Sequence, residues 1–449
     1  MLLQWKRLPK KLALSLLALA ATASAQTITI TLNDAIARAE KYGMQIQTAN
    51  IAAQLAHEDK KQANAATLPS ANLLNQFIYT EGNGTPSGVF VANDGVHVYN
   101  EQIQAHEELL SLARRGEVRM AAAAEAVARA KADVAARGLR STVVQDYFAI
   151  VSAERKLRNA ERSLDEARQF VDITQKQQQG GEAARADVIK AQIQQQQRER
   201  DVQDARLGEQ KAKIALAVLI FPTLQIDYAV VDDLAQVGLL PPEPEAAAQA
   251  RASNPDLRAT REALNQAKIG VSVARYAYLP SLGLDVFYGI DANQFAFRSA
   301  NAEDTGRSTL PHFEIPYRQN LGYSAMATLN IPLWNWGSIH SKVKQAQLKE
   351  EQAELDLSTT QKQVQADLAT AYQEAKAALA QIESLRSSSD LANESLRLTV
   401  LRYKAGEATT LEVVDAQTTA NAARGAYDDG LARYRIALEN LKTLTGNVQ

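Results

Sequence analysis

The feature that most constrains the fold is the length of two stretches without proline. No proline lies between Pro86 and Pro222, and none follows Pro332. Both stretches are rich in Ala, Gln, Glu, Lys, Arg and Leu, which favour helices. A helix from about Leu110 to Gln178 would measure roughly 100 Å at ~1.5 Å per residue. Single globular domains seldom hold such a helix, so the pattern predicts long coiled-coil packing.

The apolar positions of these helices are mostly alanine, as in the run from Ala121 to Ala124. Small side chains let helices approach closely, but each one buries little apolar surface. A long helix of this kind needs partners along its whole length. The composition therefore predicts side-by-side helix packing in an oligomer.

The chain contains an internal duplication, because short sequence motifs of its first half recur in the same order in its second half. Leu-Pro-Ser at 68–70 recurs at 279–281, and Gly-Glu-Ala at 181–183 recurs at 406–408. The offset is 211 for the first pair (279 − 68) and 225 for the second (406 − 181). We place the extra residues of the second half in the loop between Tyr288 and Tyr323.

These landmarks predict a mixed α/β chain that is mainly α, with two structural repeats. Its expected segments are a signal peptide, 1–25; a first repeat, 26–221, with a β-hairpin at about 70–108 and long helices at about 110–220; a linker, 222–244; and a second repeat, 245–449, with a β-hairpin at about 281–334 and long helices at about 336–446.

The N-terminus has the pattern of an export signal. Basic residues precede an apolar run from Leu12 to Ala21, and the small-x-small sequence at 23–25 is typical of a cleavage site. We expect cleavage after Ala25 and export from the cytoplasm. A membrane anchor is the alternative, although the run is short for crossing a bilayer.

The segments ahead of the long helices have the period-two pattern of β-strands. In the second half, apolar residues alternate with Gly and Asp from Leu282 to Asp291, and a return segment runs from Tyr323 to Leu333. Each has about the length of a transmembrane strand. In the first half, 72–79 and 96–106 show a weaker pattern. Ordinary soluble hairpins are the alternative.

Four strands cannot close a barrel, because small barrels need about eight. The chain must then pool its strands with copies of itself. Three copies would give twelve strands and two copies eight, and the strands alone leave both open. Trp334 and Trp336 follow the return strand, where an interfacial aromatic belt would lie.

Composition and missing motifs exclude several classes of function. The chain has no cysteine, which rules out disulfides, zinc–thiolate sites and cysteine nucleophiles. A net charge of −2 argues against a nucleic-acid partner. No phosphate-binding loop, H-E-x-x-H or G-x-S-x-G motif is present, and the five histidines lack metal spacing. We expect no enzyme activity, no catalytic residue, no cofactor and no metal.

The segment from Arg402 to Gln417, with its Tyr-x-x-Gly turn before an acidic helix start, resembles the helix-turn-helix tip of the TolC-like outer-membrane efflux family. The sequence from Ile331 to Gly337 also looks like that family's strand-to-helix junction. The resemblance covers nearly the whole mature chain, because the duplication and the order of motifs also match.

The resemblance implies a homotrimer in the outer membrane, in contact with its lipid. Twelve pooled strands would form a β-barrel, and the long helices would form a tunnel through the periplasm. The open end would take cargo from an inner-membrane transporter through a periplasmic adaptor protein. The duct itself would be a passive channel. The rival interpretation is a periplasmic coiled-coil scaffold or adaptor without a pore.

The resemblance also implies a channel constriction at Glu412 and Asp415. These residues are three apart and share one helix face, so three copies would form two acidic rings. Such rings can select cations at a narrow point. The alternative is that the two acids favour the helix N-terminus through its dipole.

Two further sets of site residues follow from the resemblance. Tyr403 would bond to Asp187 and help to close the periplasmic entrance; simple packing of the tyrosine is the alternative. A second closing link of the family is missing, since Ala186 and Ala408 occupy its positions. The adaptor would contact the tips at four residues, Gly181, Glu182, Gly406 and Glu407. Glycine suits the left-handed end of a helix, and the glutamates would suit a basic adaptor tip.

Overall fold

A computed structural model describes residues 28–80, 96–292 and 321–446. The predicted signal peptide and its cleavage site after Ala25 lie outside these residues, as does most of the loop between Tyr288 and Tyr323.

The two halves of the described chain contain the same elements in the same order. The first half comprises β1 (Ile28–Ile30), α1 (Leu32–Tyr42), α2 (Met44–Ala65), β2 (Ser70–Thr80), β3 (Val96–Leu110), α3 (Leu112–Gln179) and α4 (Arg185–Ile220). The second comprises β4 (Tyr228–Val230), α5 (Glu243–Ser253), α6 (Pro255–Tyr276), β5 (Ser281–Ala292), β6 (Leu321–Asn330), α7 (Ser338–Lys404) and α8 (Thr410–Thr445). Helices α3 and α7 have 68 and 67 residues, as their proline-free sequences predict.

Strand β6 ends at Asn330, earlier than the return segment predicted to reach Leu333. Pro332 lacks the amide N–H that a paired strand would need. Trp336 has φ +51° and Gly337 has φ +81°, so the backbone leaves the extended conformation altogether before α7 begins. The prediction of strand up to Leu333 was therefore wrong.

The chain divides into two compact units. The described residues of unit 1 lie within Met1–Thr48, Ala135–Asn254 and Val364–Gln449, and those of unit 2 lie within Ala49–Val134 and Pro255–Gln363. Each unit combines segments from both repeats.

Unit 1 has its main core where β1 and β4 form a parallel pair that joins the two repeats. Tyr147 and Phe148 of α3 are almost fully buried there, in edge-to-face contact at 5.5 Å between ring centroids. The Tyr147 hydroxyl donates to the Val231 carbonyl at 2.9 Å. Burial raises the pKa of Tyr147 to about 12. This core holds α4 and α8 near the ends opposite their tips, and α3 near its middle.

Unit 2 contains an antiparallel sheet in the order β2-β3-β5-β6, which leaves β2 and β6 as the edge strands. The helices follow the same order. The close crossing of α3 and α6 depends on Gly116, where a Cβ would lie 2.9 Å from Val273. On the other side of α6, Lys268 lies 3.9 Å from Glu354 of α7.

Helices α2 and α3 are joined by the carboxylate of Glu125, whose side chain is only 4% exposed. Lys60 and His57 of α2 both approach it at 2.9 Å, and Arg129 on its own helix also contacts it. Hydrogen bonds from Lys60 and His57, together with the Arg129 charge, lower the pKa of Glu125 to about 2. The carboxylate is therefore held ionised between the two helices.

None of the helices in the described part of the chain combines the length and the apolar character needed to cross a lipid bilayer.

Candidate functional site: the helix tips and the apolar sheet face

The tip between α3 and α4 is a Schellman turn. Gly181 has φ +83°, a conformation that favours glycine. Its N–H donates to the Gln178 carbonyl at 3.1 Å, and the N–H of Glu182 donates to the Gln177 carbonyl at 2.8 Å. Nothing lies within 4 Å of a Cβ placed on Gly181, so the backbone angle and not the space requires glycine here.

The tip between α7 and α8 repeats this geometry 225 residues later (406 − 181). Gly406 has φ +77°, and its N–H donates to the Tyr403 carbonyl at 3.0 Å. The N–H of Glu407 donates to the Arg402 carbonyl at 2.8 Å. The side chains of Glu182 and Glu407 are both exposed. The two repeats therefore present the same turn, and each turn has a glycine with a positive φ and an exposed glutamate.

Glu412 has a structural role as part of a capping box at the start of α8. Its carboxylate accepts hydrogen bonds from the N–H and the hydroxyl of Thr409, both at 3.1 Å. Thr409 accepts from the Glu412 N–H in return. The backbone and side-chain hydrogen bonds from Thr409, followed by the charge of Arg402, lower the pKa of Glu412. The sequence signal, Thr-x-x-Glu at 409–412, was missed.

Asp415 lies one turn after Glu412, and both side chains are exposed. The opposite face of this part of α8 carries Val413 and Gln417, which are buried. The structure thus gives the two predicted constriction residues a common exposed face. The acidic rings themselves require further copies of the chain and remain a prediction.

Among the described residues the Tyr403 hydroxyl makes no hydrogen bond to Asp187, so the predicted bond between these two residues was wrong. The tyrosine is 5% exposed, and its hydroxyl lies 3.4 Å from the hydroxyls of Thr174 and Thr410. Asp187 sits half-buried in the first turn of α4. The ring turns inward because it packs edge-to-face on Phe170, with 5.0 Å between centroids.

An apolar cluster below the two tips was also missed by the sequence reasoning. It comprises Phe170, Val171, Ala191, Tyr403 and Val413. Residues from all four long helices contribute to this cluster. Beside it, the Gln177 side-chain amide donates to the Tyr403 carbonyl at 3.2 Å. The tip of the first repeat is therefore fixed to the tip of the second.

The sheet of unit 2 has one apolar and one polar face. Strand pairing places Leu73, Ile103, Tyr288 and Tyr323 in one row across all four strands. These side chains are 52–83% exposed. Neighbouring rows of the same face hold Ala71, Phe77, Ala105, Leu282, Leu284, Val286, Ile290, Ala325, Ala327 and Leu329. The weaker pattern of the first repeat thus joins the clear pattern of the second in one apolar surface.

This apolar face is interrupted at the paired residues Asn75 and Glu101 and again at Glu107, which pairs with Leu284. The opposite face carries the polar side chains, including Gln102, Gln104 and the cross-strand pair His106 and Asp285. The imidazole of His106 lies 2.7 Å from the Asp285 carboxylate.

Trp334 and Trp336 lie just beyond the end of β6. They are 76% and 89% exposed and pack edge-to-face, with 5.6 Å between ring centroids. Trp336 adopts a left-handed conformation that bulky residues seldom occupy. Two large aromatic rings are therefore exposed at one end of the apolar face.

Within the described residues, no group of three His, Cys, Asp or Glu side chains is placed to hold a metal ion.

Residues 246–447 match the family model of outer membrane efflux proteins. A comparison with curated protein sequences finds no significant match. The second repeat of the chain is therefore similar to outer membrane efflux proteins.

Solved structures of outer-membrane channels have the same fold. The CmeC channel of Campylobacter jejuni is 18% identical, with a TM-score of 0.76 over 92% of this chain and 85% of that one. VceC of Vibrio cholerae is 17% identical, with a TM-score of 0.74 over 92% and 96%. The open-state MtrE channel of Neisseria gonorrhoeae is 21% identical, with a TM-score of 0.72 over 92% and 88%. These findings confirm the predicted resemblance to TolC-like proteins and the mainly helical fold class.

Proposed function

We propose that this protein is a passive duct subunit for efflux or secretion across the outer membrane and the periplasm, without enzyme activity or cofactor. The exposed apolar face of the four-stranded sheet carries the proposal. Soluble proteins rarely expose a contiguous apolar patch of this kind, and lipid is the partner that matches alternating strands of about this length. Trp334 and Trp336 would lie at the membrane interface at one end of that face.

The arrangement of elements in unit 2 supports assembly with copies of the same chain. The sheet has different strands, β2 and β6, at its two edges, and the helix order α2-α3-α6-α7 places α2 and α7 at the same two edges. Ile51 and Leu55 of α2 are exposed, as are Leu348 and Leu355 of α7. Contacts between unlike edges are head-to-tail, and they form a ring when the rotation between successive copies closes. The family resemblance favours three copies, which would pool twelve strands.

The tips support a periplasmic entrance that docks with other proteins. Glu182 and Glu407 occupy equivalent exposed positions on two turns of the same geometry, and three copies would present six such turns. A periplasmic adaptor with a basic tip would complement them, and an inner-membrane transporter would supply the energy. Export by the N-terminal signal peptide is part of the same proposal.

The proposal is tested by the current that the purified mature protein carries in a planar bilayer. We expect a small, cation-selective current in the wild type. The double variant Glu412→Ala/Asp415→Ala should lose cation selectivity or conduct more. Glu351→Ala/Asp390→Ala is the matched control, since it removes two exposed carboxylates of α7 away from the tips, and it should behave like the wild type.

A folded wild-type protein that carries no current would favour the periplasmic scaffold, and such a protein should also leave the membrane fraction after a carbonate wash. A current that is unchanged by the two tip mutations would support the duct but would show that Glu412 and Asp415 do not form its constriction. For the adaptor, reversal of charge at both Glu182 and Glu407 should abolish capture by a basic-tipped adaptor. Capture that survives would refute that part.

A further inference from the structure

A groove opens between α3 and α8 on the side of unit 1 away from the linker. Its volume is about 380 Å³, within the roughly 300–1,000 Å³ of pockets that hold small molecules. Its lining residues all belong to α3, α7 and α8 within unit 1. We call it the wall groove, and its size suits a small organic ligand.

The wall groove lies between two hydrogen bonds that join α3 to α8. At one end the Ser141 hydroxyl donates to the side-chain oxygen of Asn440 at 3.0 Å, and at the other the Ser152 hydroxyl donates to the Asp429 carboxylate at 3.3 Å. The short side chains that line the groove between these bonds are Ala149, Ala432 and Ala437. Larger side chains would normally fill such a space. The gap therefore results from alanine on both helices at the same level.

The floor of the wall groove is apolar. Phe148 of α3 is fully buried beneath it, and Ile436 of α8 is half-buried. A ligand that covers this floor removes apolar surface from water on both partners. The floor therefore favours a ligand with an apolar body.

The rim of the wall groove carries one negative charge in excess. Glu374 of α7 and Arg433 of α8 pair at 3.1 Å and neutralise each other. Asp429 is exposed, and among the described residues its carboxylate accepts one hydrogen bond, the long one from Ser152. A carboxylate can accept several hydrogen bonds. Asp429 therefore offers a negative charge with unused acceptor sites at the edge of an apolar floor.

This combination favours an organic cation over an inorganic ion or an anion. Divalent metal ions take several oxygen ligands, and the described residues contain no group of three side chains placed to hold one. An anion would be repelled by Asp429. An ammonium ion with an apolar body can contact Asp429 with its charge and cover the floor with its body.

The wall groove lies on the side of both helices opposite to the linker. On α3, Tyr147 bonds to the linker, and Ala149 is two residues further on, about 200° around a helix of ~3.6 residues per turn. On α8, Arg435 bonds to the linker, and Ala437 is again two residues further on. The linker cannot line the inside of a tube without filling its bore. In the proposed duct the wall groove would therefore face the bore.

We infer that the wall groove binds organic cations with an apolar body, and that Asp429 supplies the charge that selects them. The inference rests on the proposed duct for the access of such a ligand and deepens it by naming a ligand class. Each copy of the chain contributes one complete groove.

Titration calorimetry of the purified protein in detergent, with benzyltriethylammonium as the probe, tests this inference. Asp429→Asn should weaken binding about three- to tenfold, because it removes the charge from an exposed site. Ala149→Phe should weaken binding more than about tenfold, because the added ring occupies the groove. The matched controls change exposed residues that do not line the groove: Asp390→Asn on α7 and Ala422→Phe, two turns before Asp429 on α8. Both controls should bind like the wild type.

Two further probes separate the apolar and the charged contributions. Tetramethylammonium keeps the charge but lacks the apolar body, and benzenesulfonate keeps an aromatic ring but reverses the charge. Each should bind the wild type at least about tenfold more weakly than benzyltriethylammonium does. Equal binding of all three probes would contradict the inference.

The outcomes for the wall groove and for the duct can be told apart. Equal affinity of the wild type, Asp429→Asn and Ala149→Phe would overturn the inference, because the probe would then bind elsewhere or enter the detergent. Absence of binding to a wild type with its full helical circular dichroism signal would also overturn it. Asp429→Asn alone decides the matter if Ala149→Phe fails to fold.

A bilayer current measured on the same preparation supplies the separate readout for the duct. If binding follows the expected order but the wild type carries no current, the duct proposal fails and the wall groove stands as a binding site. If the wild type conducts but binding does not follow that order, the duct stands and the wall groove is refuted.

Discussion

Replacing Arg155 should test how the linker between the repeats is held to both of them. The Arg155 guanidinium makes two 2.8 Å hydrogen bonds to Asp232 of the linker and one of 2.9 Å to Asp428 of α8. The pKa of Arg155 is raised, chiefly by its hydrogen bond to Asp232. Burial alone would raise the pKa of Asp232, but the hydrogen bond and charge of Arg155 bring it below its ordinary value of 3.8.

The cost of the substitution can be bounded from this geometry. Removing one partner from a fully buried pair costs ~3–5 kcal/mol. The three side chains here are 16–27% exposed, so water screens part of this and we expect ~2–3 kcal/mol for Arg155→Met. Arg155→Lys keeps the charge but loses the planar fork, and should cost ~1 kcal/mol. Arg158→Met is the control, because Arg158 makes one bond to Asp232 and is 56% exposed.

Thermal unfolding in detergent, followed by the helical circular dichroism signal, should rank the variants in that order, with Arg158→Met close to the wild type. The contribution of Asp232 has a definite sign with pH. Because its folded pKa lies below 3.8, its stabilisation is complete above that value and is lost as pH falls below it. The penalty of Arg155→Met should therefore shrink below about pH 3.8. The reasoning would be refuted if Arg155→Met lowered the free energy of unfolding only as much as Arg158→Met does, or if its effect grew in acid.

Three further predictions concern the tips and unit 2. Gly406→Ala should destabilise the protein by ~1–2 kcal/mol because of the positive φ at this position. Gly425→Ala, in the interior of α8, should stabilise it by up to ~1 kcal/mol. Shifts of the same sign in the thermal unfolding temperatures of the two variants would contradict this. Acid unfolding should include a loss of stability as pH falls from 4.5 towards 2, since the Glu125 pKa is lowered to about 2, and Glu125→Gln should remove that part of the titration. Tyr403→Phe should raise the resting current several-fold at most, because its two hydroxyl contacts are long, and Asp187→Asn should leave it unchanged; the reverse result would restore the Tyr403–Asp187 link.

Local features of this fold could be predicted because they depend on neighbours in sequence. The two long helices follow from runs of helix-forming residues without proline, and the tip turns follow from Gly181 and Gly406. The capping box of Thr409 and Glu412 was equally local and was readable from its spacing. The sequence interpretation considered the acidic residues as a constriction and as partners of the helix dipole, but it did not pair Glu412 with Thr409.

Contacts between distant segments could not be predicted in the same way. The apolar positions of the long helices are mostly alanine, so sliding one helix by a turn changes the apolar pattern very little. The sequence therefore does not fix which residues of α3 meet α8. The buried pair of Arg424 with Glu166, 258 residues apart, depends on that register. The inward turn of Tyr403 depends on Phe170 for the same reason.

The polar and apolar surfaces of unit 1 are distributed in an unusual way. Between α3 and α8, beyond the apolar cluster of the tips, the contact is largely hydrogen-bonded, yet exposed faces elsewhere carry large apolar side chains. Ile193 and Leu207 of α4 are 60% and 49% exposed, and Leu391 and Leu398 of α7 are 69% and 47% exposed. Their spacings of 14 (207 − 193) and 7 (398 − 391) place each pair on one helix stripe.

Such a distribution is unfavourable for a solitary chain and favourable for an assembly. Contacts between copies, made through apolar stripes, would be permanent because their separation would expose apolar surface to water. Contacts within a copy, made through hydrogen bonds, could open and close because water replaces each lost partner. In a ring of identical chains, the movable surface would therefore lie inside each subunit, between its two repeats, and the interfaces between subunits would stay intact while the entrance opens.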